Sequence, residues 1–203
     1  DPIHRGHVQS AVELKQKLQL DELRMLPCHN PPHRKTPNCS SAQRLAMVRL
    51  AVQGTGLMVD DRELKRDQLS YSFDTLEQFR RECGDQVSLM WVMGTDAFTQ
   101  LDGWYRWQDL MSLAHIVVMA RPQEQLPETG PVAELLLRHA AASISDVKNN
   151  VSGRILTVAL QPYPISASGI RSAIAADESV ERFLPSGVLN YIKEHHLYGG
   201  AID

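Results

Sequence analysis

Two short motifs near opposite ends of the chain combine residue types that bind phosphate. The first is His4-Arg5-Gly6-His7, which precedes an apolar repeat that predicts a helix over residues 8–18. Glycine lets the backbone approach an anion, and the first turn of a helix supplies N–H groups without partners inside the helix. An imidazole can also donate a hydrogen bond to a phosphate oxygen. The motif therefore predicts a phosphate-binding turn, although two surface histidines would place the same residues here.

The second motif is Ile165-Ser166-Ala167-Ser168-Gly169-Ile170-Arg171, which follows a predicted strand and opens a helix predicted over residues 168–176. Ser166 or Ser168 can cap that helix, and Arg171 lies one turn inside it. Two hydroxyls, backbone N–H groups and a guanidinium could then converge on one anion. A capped helix with a surface arginine is the alternative that needs no ligand.

Short apolar segments alternate with amphipathic segments along the chain, which predicts an α/β protein with a doubly wound parallel sheet. The segment 87–93 is apolar apart from Ser88, so we expect a parallel strand buried on both faces. Charged runs at 60–63 and 65–67 are expected on the solvated surface. Helices are predicted over 8–18, 40–53, 72–83, 96–101, 105–112, 132–142, 168–176 and 187–195, and strands over 23–26, 57–59, 87–93, 116–120 and 155–159.

Composition and charge exclude several classes of protein. The 203 residues carry 21 basic and 24 acidic side chains, a net charge of −3, which argues against a dedicated nucleic-acid binder. No stretch approaches the roughly 20 apolar residues of a membrane helix, so we expect no membrane association. Three cysteines without CxxC spacing fit reduced thiols in the cytoplasm. His29 and His33 are four residues apart, but Pro31 and Pro32 prevent the helix that would let them share a metal.

The order of the two motifs resembles the two phosphate-binding signatures of the nucleotidyltransferase superfamily. Further segments make the chain similar to one family, the bacterial nicotinate-mononucleotide adenylyltransferases. In the late motif Ser168 stands where that family usually has threonine, and the hydroxyl is kept. The resemblance covers essentially the whole chain in order. The further segments that carry it are Asp1-Pro2-Ile3, Pro31-Pro32-His33-Arg34, Ser70-Tyr71-Ser72, Gly94-Thr95-Asp96, Trp104-Tyr105, Tyr191-Ile192 and Leu197-Tyr198.

The resemblance implies a Rossmann-like α/β fold with a doubly wound parallel sheet. It also implies a single nucleotidyltransferase domain over residues 1–203, with a C-terminal helical portion from about residue 168. In the family, a first strand and a Gly-Gly-Thr-Phe turn stand directly before the Asp-Pro pair. Since this sequence opens on Asp1-Pro2, we expect that the first strand is missing from it and that an N-terminal segment precedes it.

The implied activity is transfer of the adenylyl group of ATP to nicotinate mononucleotide, which gives nicotinate adenine dinucleotide and pyrophosphate for NAD biosynthesis. The mononucleotide phosphate would attack the α-phosphorus directly, so the protein would align the reactants and stabilise charge. Mg²⁺ would be the cofactor, held mainly by the ATP phosphates and water because no carboxylate cluster is visible. The two substrates are the expected partners, in the cytoplasm.

The resemblance also implies two sets of site residues. Trp104 would stack on the pyridine ring, and the helix start at Ser70-Tyr71-Ser72 would offer N–H donors to the carboxylate. By residue type alone, Asp96 is a helix N-cap and Trp104 a core residue. The residues predicted to bind the mononucleotide are His33, Arg34, Ser72, Trp104, Tyr105 and Arg121. The residues predicted to bind ATP are His4, Gly6, His7, Asp96, Ile165, Ser166, Ser168 and Arg171, of which His4, His7 and Arg171 are predicted to be catalytic.

Three alternative functions remain open at this point. A pantetheine-phosphate adenylyltransferase of the same superfamily is disfavoured by the chain length and by the Trp104-Tyr105 region. A non-catalytic nucleotide-binding regulator could use the same phosphate-binding turns and would differ in releasing no pyrophosphate. An RNA-binding protein is disfavoured by the acidic net charge and would show a steep dependence of RNA affinity on salt.

Overall fold

The computed structural model describes residues 1–30, 39–120 and 124–199 of the chain. Its strands are β1 (Arg24–Met25), β2 (Met58–Val59), β3 (Met90–Gly94), β4 (His115–Ala120) and β5 (Ile155–Ala159). Its α-helices are α1 (Arg5–Leu18), α2 (Ser41–Ala51), α3 (Ser72–Cys83), α4 (Thr95–Phe98), α5 (Leu110–Leu113), α6 (Pro131–His139), α7 (Ile144–Lys148), α8 (Ala167–Ala175) and α9 (Ser186–Glu194). Short 3₁₀ helices span Arg62–Lys65, Leu101–Gly103 and Trp107–Asp109.

The chain divides into two compact units. The first comprises Asp1–Ser70 and Tyr163–Asp203. In it β1 and β2 pair in parallel, with Arg24 opposite Met58, and α2 packs against α9. The organisation of residues 1–203 as a single domain stays a prediction.

The second unit, Tyr71–Pro162, contains a three-stranded parallel sheet in the order β3-β4-β5. The α/β class with parallel strands is therefore confirmed. The strand predicted over 87–93 is confirmed as a parallel strand from Met90 onward, but the expectation that it is buried on both faces is wrong. The strand begins at Met90, Val87 is 44% exposed, and only Met93 within β3 is fully buried. The middle strand β4, which has a neighbour on each side, carries the buried run instead, over its first four residues.

Local signals correctly place the start of α2 and the end of α3. Ser40 forms the predicted capping box, in which its Oγ accepts from the Gln43 N–H at 3.2 Å and Gln43 Oε1 accepts from the Ser40 N–H at 2.9 Å. Helix α3 ends before Gly84, whose φ of 76° lies in the left-handed region that favours glycine.

The second unit is braced by two buried or half-buried side chains. Arg80 of α3 donates to the backbone carbonyls of Leu113, Gly84, Val87 and Val151. Because these carbonyls lie in three separate segments, around residues 84–87, 113 and 151, the arginine fixes α3 to the loops around the sheet.

The second brace is His115, which begins β4 and is completely buried. Its Nδ1 accepts from the Arg154 N–H at 3.1 Å, and its Nε2 lies 2.9 Å from the Asn150 carbonyl, to which it donates. Both ring nitrogens are therefore satisfied in the neutral form. Burial lowers the pKa of His115 below its usual value, because it disfavours the charged imidazolium.

The expectation that the charged run 60–67 is solvated is wrong for its central residues. Arg62 and Glu63 are buried. Asp60, directly after β2, accepts from Arg62 at 2.8 Å and from Arg24 of β1 at 3.1 Å. Burial alone would raise the pKa of Asp60, but the hydrogen bonds from the two guanidiniums outweigh it and lower the pKa to about 2. The run thus forms an ion-pair network beside the β1–β2 pair.

The three cysteines, Cys28, Cys39 and Cys83, are free thiols in the structure. Among the described residues, no helix is long and apolar enough to cross a membrane.

Candidate active site

The first motif forms the entry to α1. His4 is the N-cap residue and is buried, whereas His7, in the first turn, is exposed. The His4 backbone N–H donates to His7 Nδ1 at 3.3 Å, and the two rings stack with centroids 3.7 Å apart. Since Nδ1 accepts this bond, it carries no proton, and the ring proton of His7 lies on Nε2. The backbone thus sets the tautomer that can donate to an anion.

Glycine is required at residue 6 because there is no room for a side chain, and not because of its backbone angles. A Cβ at this position would lie 3.1 Å from His4 Nδ1 and 3.2 Å from Tyr163 Cβ. Both distances are tighter than ordinary van der Waals contact, and Tyr163 Cβ is fixed to its own backbone. A side chain at residue 6 would therefore displace the His4 ring.

The second motif forms the entry to α8. Ser166 is the N-cap, and its Oγ accepts from the Gly169 N–H at 3.1 Å. The Oγ atoms of Ser166 and Ser168 are 3.3 Å apart, and both side chains are exposed. Ile165 is half-buried, and its N–H donates to the Tyr163 carbonyl at 2.7 Å. The predicted cap is confirmed for Ser166, and the two hydroxyls lie together at the start of the helix.

The structure brings these two motifs together within the first unit. Arg171 Nη1 donates to the backbone carbonyl of Asp1 at 2.6 Å, which ties α8 to the segment that leads into α1. Tyr163 approaches Gly6, as described above, and the Arg5 N–H donates to the Phe183 carbonyl at 2.9 Å. Two helix entries that are about 160 residues apart in sequence are therefore neighbours.

In the second unit, Asp96 follows the carboxyl end of β3. It is the second residue of α4 and is exposed, so it is not the N-cap that its residue type alone suggests. Its carboxylate folds over Gly94, because a Cβ on Gly94 would lie 2.6 Å from Asp96 Oδ1. Thr95 is buried and donates to the Met119 carbonyl at 3.3 Å, which fixes α4 to β4.

Ser72, Trp104 and Tyr105 also lie in the second unit. Ser72 is the first residue of α3, and the N-cap residue Tyr71 makes no side-chain capping bond to the helix. The Tyr105 ring, about half exposed, packs on the Tyr71 ring with centroids 4.7 Å apart. Trp104 is half-buried and packs against the apolar core of this unit. The structure thus places Tyr105 beside the start of α3 and Trp104 against the core of the same unit.

Three predicted site residues, His33, Arg34 and Arg121, lie outside the described residues. On either side of the segment 31–38, the structure shows contacts that sequence reasoning missed. Arg44 of α2 donates to the carbonyls of Cys28 at 2.5 Å, His29 at 3.1 Å and Cys39 at 2.7 Å. Nothing local marks this arginine, because its partners are 5 to 16 residues away.

Ser70, which precedes α3, makes contacts that the sequence does not predict. Its Oγ accepts from the backbone N–H groups of His29 and Asn30, both at 3.2 Å, and its own N–H donates to the Asn30 carbonyl at 3.0 Å. The residue directly before Tyr71 is thereby fixed to the segment that leads into 31–38.

Comparison with known sequences places the chain among nucleotide-transferring proteins. The sequence model of the cytidylyltransferase-like family matches residues 1–173. A protein of Cellvibrio japonicus (strain Ueda107) named "Probable nicotinate-nucleotide adenylyltransferase" is 45% identical over 199 residues, which cover 98% of this chain and 94% of that protein. A protein of the same name from Pseudomonas aeruginosa (strain UCBPP-PA14) is 46% identical over 201 residues, which cover 98% and 92%.

Solved structures share the fold. The nicotinic acid mononucleotide adenylyltransferase of Plasmodium falciparum superposes with a TM-score of 0.72 as its complex with NaAD and 0.68 as its complex with APC. Each comparison covers 97% of this chain and 92% of the other, at 13% identity. At that identity the likeness supports the Rossmann-like fold.

Proposed function

We propose that this chain, which belongs to the cytidylyltransferase-like family and within it to the nicotinate-nucleotide adenylyltransferases, transfers the adenylyl group of ATP to nicotinate mononucleotide. The products are nicotinate adenine dinucleotide and pyrophosphate, in NAD biosynthesis in the cytoplasm. The observation that carries the proposal is the junction of the two motif helices, in which Arg171 binds the Asp1 carbonyl and Tyr163 approaches Gly6. It gathers imidazole, hydroxyl and guanidinium donors with two helix entries, which suits a polyphosphate.

The reaction is a displacement at phosphorus. A phosphate oxygen of the mononucleotide forms a bond to the α-phosphorus of ATP, and the bond from that phosphorus to the α,β-bridging oxygen breaks. Pyrophosphate leaves with the bonding electron pair, and no bond to the enzyme forms. The contribution of the protein is alignment and stabilisation of the developing negative charge.

His7 supplies the donor closest to that charge in this proposal. Its Nε2 carries the proton, because Nδ1 is occupied by the His4 N–H, and the side chain is exposed at the helix entry. His4 supports the His7 ring by stacking and contacts the phosphates, and Gly6 leaves the room for this packing. The β- and γ-phosphates are assigned to Ser166, Ser168 and Arg171.

The remaining assignments concern the nucleotide and the pyridine ring. Ile165 and Asp96 contact ATP. Trp104 stacks on the pyridine ring, beside Tyr105, and the N–H groups of Ser72 and the following residues of α3 donate to the nicotinate carboxylate. His33, Arg34 and Arg121 are predicted to contact the mononucleotide.

The proposed reaction also implies a divalent cation, which we assign to the substrate. Among the described residues, no group of three or more His, Cys, Asp or Glu side chains converges as a metal site. Mg²⁺ prefers phosphate oxygens and water, so we assign it to the triphosphate, whose charge it would offset.

The test is pyrophosphate release by the purified chain with ATP and nicotinate mononucleotide, with identification of the dinucleotide by mass spectrometry. We expect turnover that requires both substrates. Turnover with pantetheine phosphate in place of the mononucleotide would favour the other adenylyltransferase. ATP binding without pyrophosphate release would favour a regulator, and salt-sensitive RNA binding without turnover would favour an RNA-binding protein.

A further inference from the structure

We propose that Arg106 is a positioning residue for the mononucleotide, an inference that rests on the function proposed above. Arg106 lies in the segment 104–109, called here the 104–109 turn. Its backbone has φ 51° and ψ 38°, in the left-handed region. That conformation is unfavourable for a residue with a Cβ, so contacts of the Arg106 side chain must offset its free-energy cost.

Those contacts are specific. The guanidinium carbon of Arg106 lies 3.7 Å from the centroid of the Phe73 ring, and Nε donates to Asp109 Oδ2 at 2.7 Å. Phe73 is the second residue of α3 and is buried, so its ring is a fixed surface. The cation–π contact therefore attaches the 104–109 turn to the first turn of α3.

The attachment fixes the residues that precede Arg106. The Tyr105 ring packs on the Tyr71 ring and meets the Phe73 ring edge-on, with centroids 6.2 Å apart and planes at 87°. Trp104 begins the same turn, and its carbonyl accepts from the Trp107 N–H at 3.2 Å. The distance from Trp104 to the first N–H groups of α3 thus depends on how Arg106 holds the turn.

That distance matters for recognition of the acid. The pyridine ring and its carboxylate are rigidly joined, and they are assigned to Trp104 and to the start of α3. If the turn shifts, a stacked ring no longer presents its carboxylate to the helix donors. Arg106 therefore acts through Trp104 and α3, and loss of its contact should weaken binding of the mononucleotide and the preference for acid over amide.

The two contacts of Arg106 are separable. The ion pair with Asp109 is about half exposed at both ends and spans three residues, so it contributes little. The planar guanidinium against a buried ring is the stronger contact, and lysine reproduces its charge but not its plane. The proposal thus assigns the effect to the Phe73 contact.

The experiment compares steady-state kinetics of four variants with the wild-type chain. Arg106→Asn is the main variant, because asparagine tolerates the left-handed conformation while it removes both contacts. We expect its KM for nicotinate mononucleotide to rise about threefold to thirtyfold. Arg106→Lys should rescue part of this loss. Asp109→Asn should stay within about twofold of wild type.

Arg81→Gln is the matched control, since Arg81 is an exposed arginine of α3 that pairs only with Glu77 among the described residues. It should leave all constants within about twofold of wild type. In Arg106→Asn, the KM for ATP and the melting temperature should also stay near wild type, and the preference for nicotinate over nicotinamide mononucleotide should fall.

Three outcomes would overturn the inference. An unchanged KM for the mononucleotide in Arg106→Asn would show that the position of the 104–109 turn does not depend on the Arg106 side chain. An equal rise in both KM values with a lower melting temperature would show a general structural role. A wild-type chain that turns over no nicotinate mononucleotide would instead contradict the proposed function itself, and the inference with it.

Discussion

The two nitrogens of the His7 ring have different tasks, and two substitutions separate them. Nδ1 accepts the His4 N–H at 3.3 Å and so stabilises the entry to α1, while Nε2 carries the proton proposed to bind the phosphates. His7→Asn retains an acceptor near the position of Nδ1 and removes Nε2. His7→Gln extends an amide donor toward the position of Nε2 and removes the acceptor near the backbone.

The contact that each substitution removes determines the size of its effect. Loss of one preorganised donor to the developing charge costs about 10² to 10³ in kcat. Loss of one backbone hydrogen bond at the helix entry costs about 0.5–1.5 kcal/mol of stability. We therefore expect His7→Asn to lower kcat by about 10² to 10³ with little change in the free energy of unfolding. His7→Gln should lose about 1 kcal/mol of stability and retain more of kcat than His7→Asn.

The measurements are pyrophosphate release at saturating substrates and urea unfolding for each variant. His195→Asn is the control, since His195 is an exposed histidine that stacks on Tyr191 outside the predicted site. It should keep the wild-type kcat. A His7→Asn protein with near-normal kcat, or a His7→Gln protein slower than His7→Asn, would refute the assignment of the two nitrogens.

Four further predictions follow from the same geometry. Gly6→Ala should lower kcat about tenfold, because the new Cβ displaces the His4 ring. The free energy of unfolding should change by less than about 1 kcal/mol, because the clash with His4 offsets the better helix propensity of alanine. Kinetics and urea unfolding check this, and an unchanged kcat contradicts it. Arg171→Ala should raise the KM for ATP about 10- to 100-fold with little change for the mononucleotide, and equal changes would contradict its place on the triphosphate. Because the pKa of His115 is lowered in the folded protein, its contribution to stability is present above the unfolded value near 6.5 and is lost as the pH falls below it. The free energy of unfolding in urea should therefore fall more steeply with acid for wild type than for His115→Gln. The wild-type chain should prefer nicotinate to nicotinamide mononucleotide by at least about tenfold in kcat/KM, and parity would contradict the role of the α3 entry.

The features that sequence alone predicts correctly are those with local causes. The capping box of Ser40 and Gln43 and the end of α3 at Gly84 involve residues within a few positions of each other. The Ser166 cap belongs to the same class. Such signals depend on the backbone of one helix, so they can be recognised before any tertiary contact is known.

The features that sequence alone misses depend on distant partners. The charged run 60–67 is predicted to be solvated because charged side chains usually lie on the surface. In the structure, Asp60 is paired with Arg24, which is 36 residues earlier and on the neighbouring strand. Gly6 is predicted as a phosphate-binding glycine, but the close approach of Tyr163 that requires it is a contact across the fold. Only the three-dimensional arrangement supplies these reasons.

The arginines show why residue type and position cannot separate structural from functional roles. Arg80 donates hydrogen bonds to four carbonyls, and Arg44 donates to three carbonyls and the Ser41 hydroxyl. Both arginines therefore have structural roles. Arg171 also lies on a helix, but within the described parts of the chain its hydrogen bond goes to one carbonyl. A guanidinium carries five N–H donors, so a bond to a single carbonyl leaves several of them for a further ligand. Arg171 is therefore held in place by one bond and can direct its other donors to a triphosphate, as the proposed function requires.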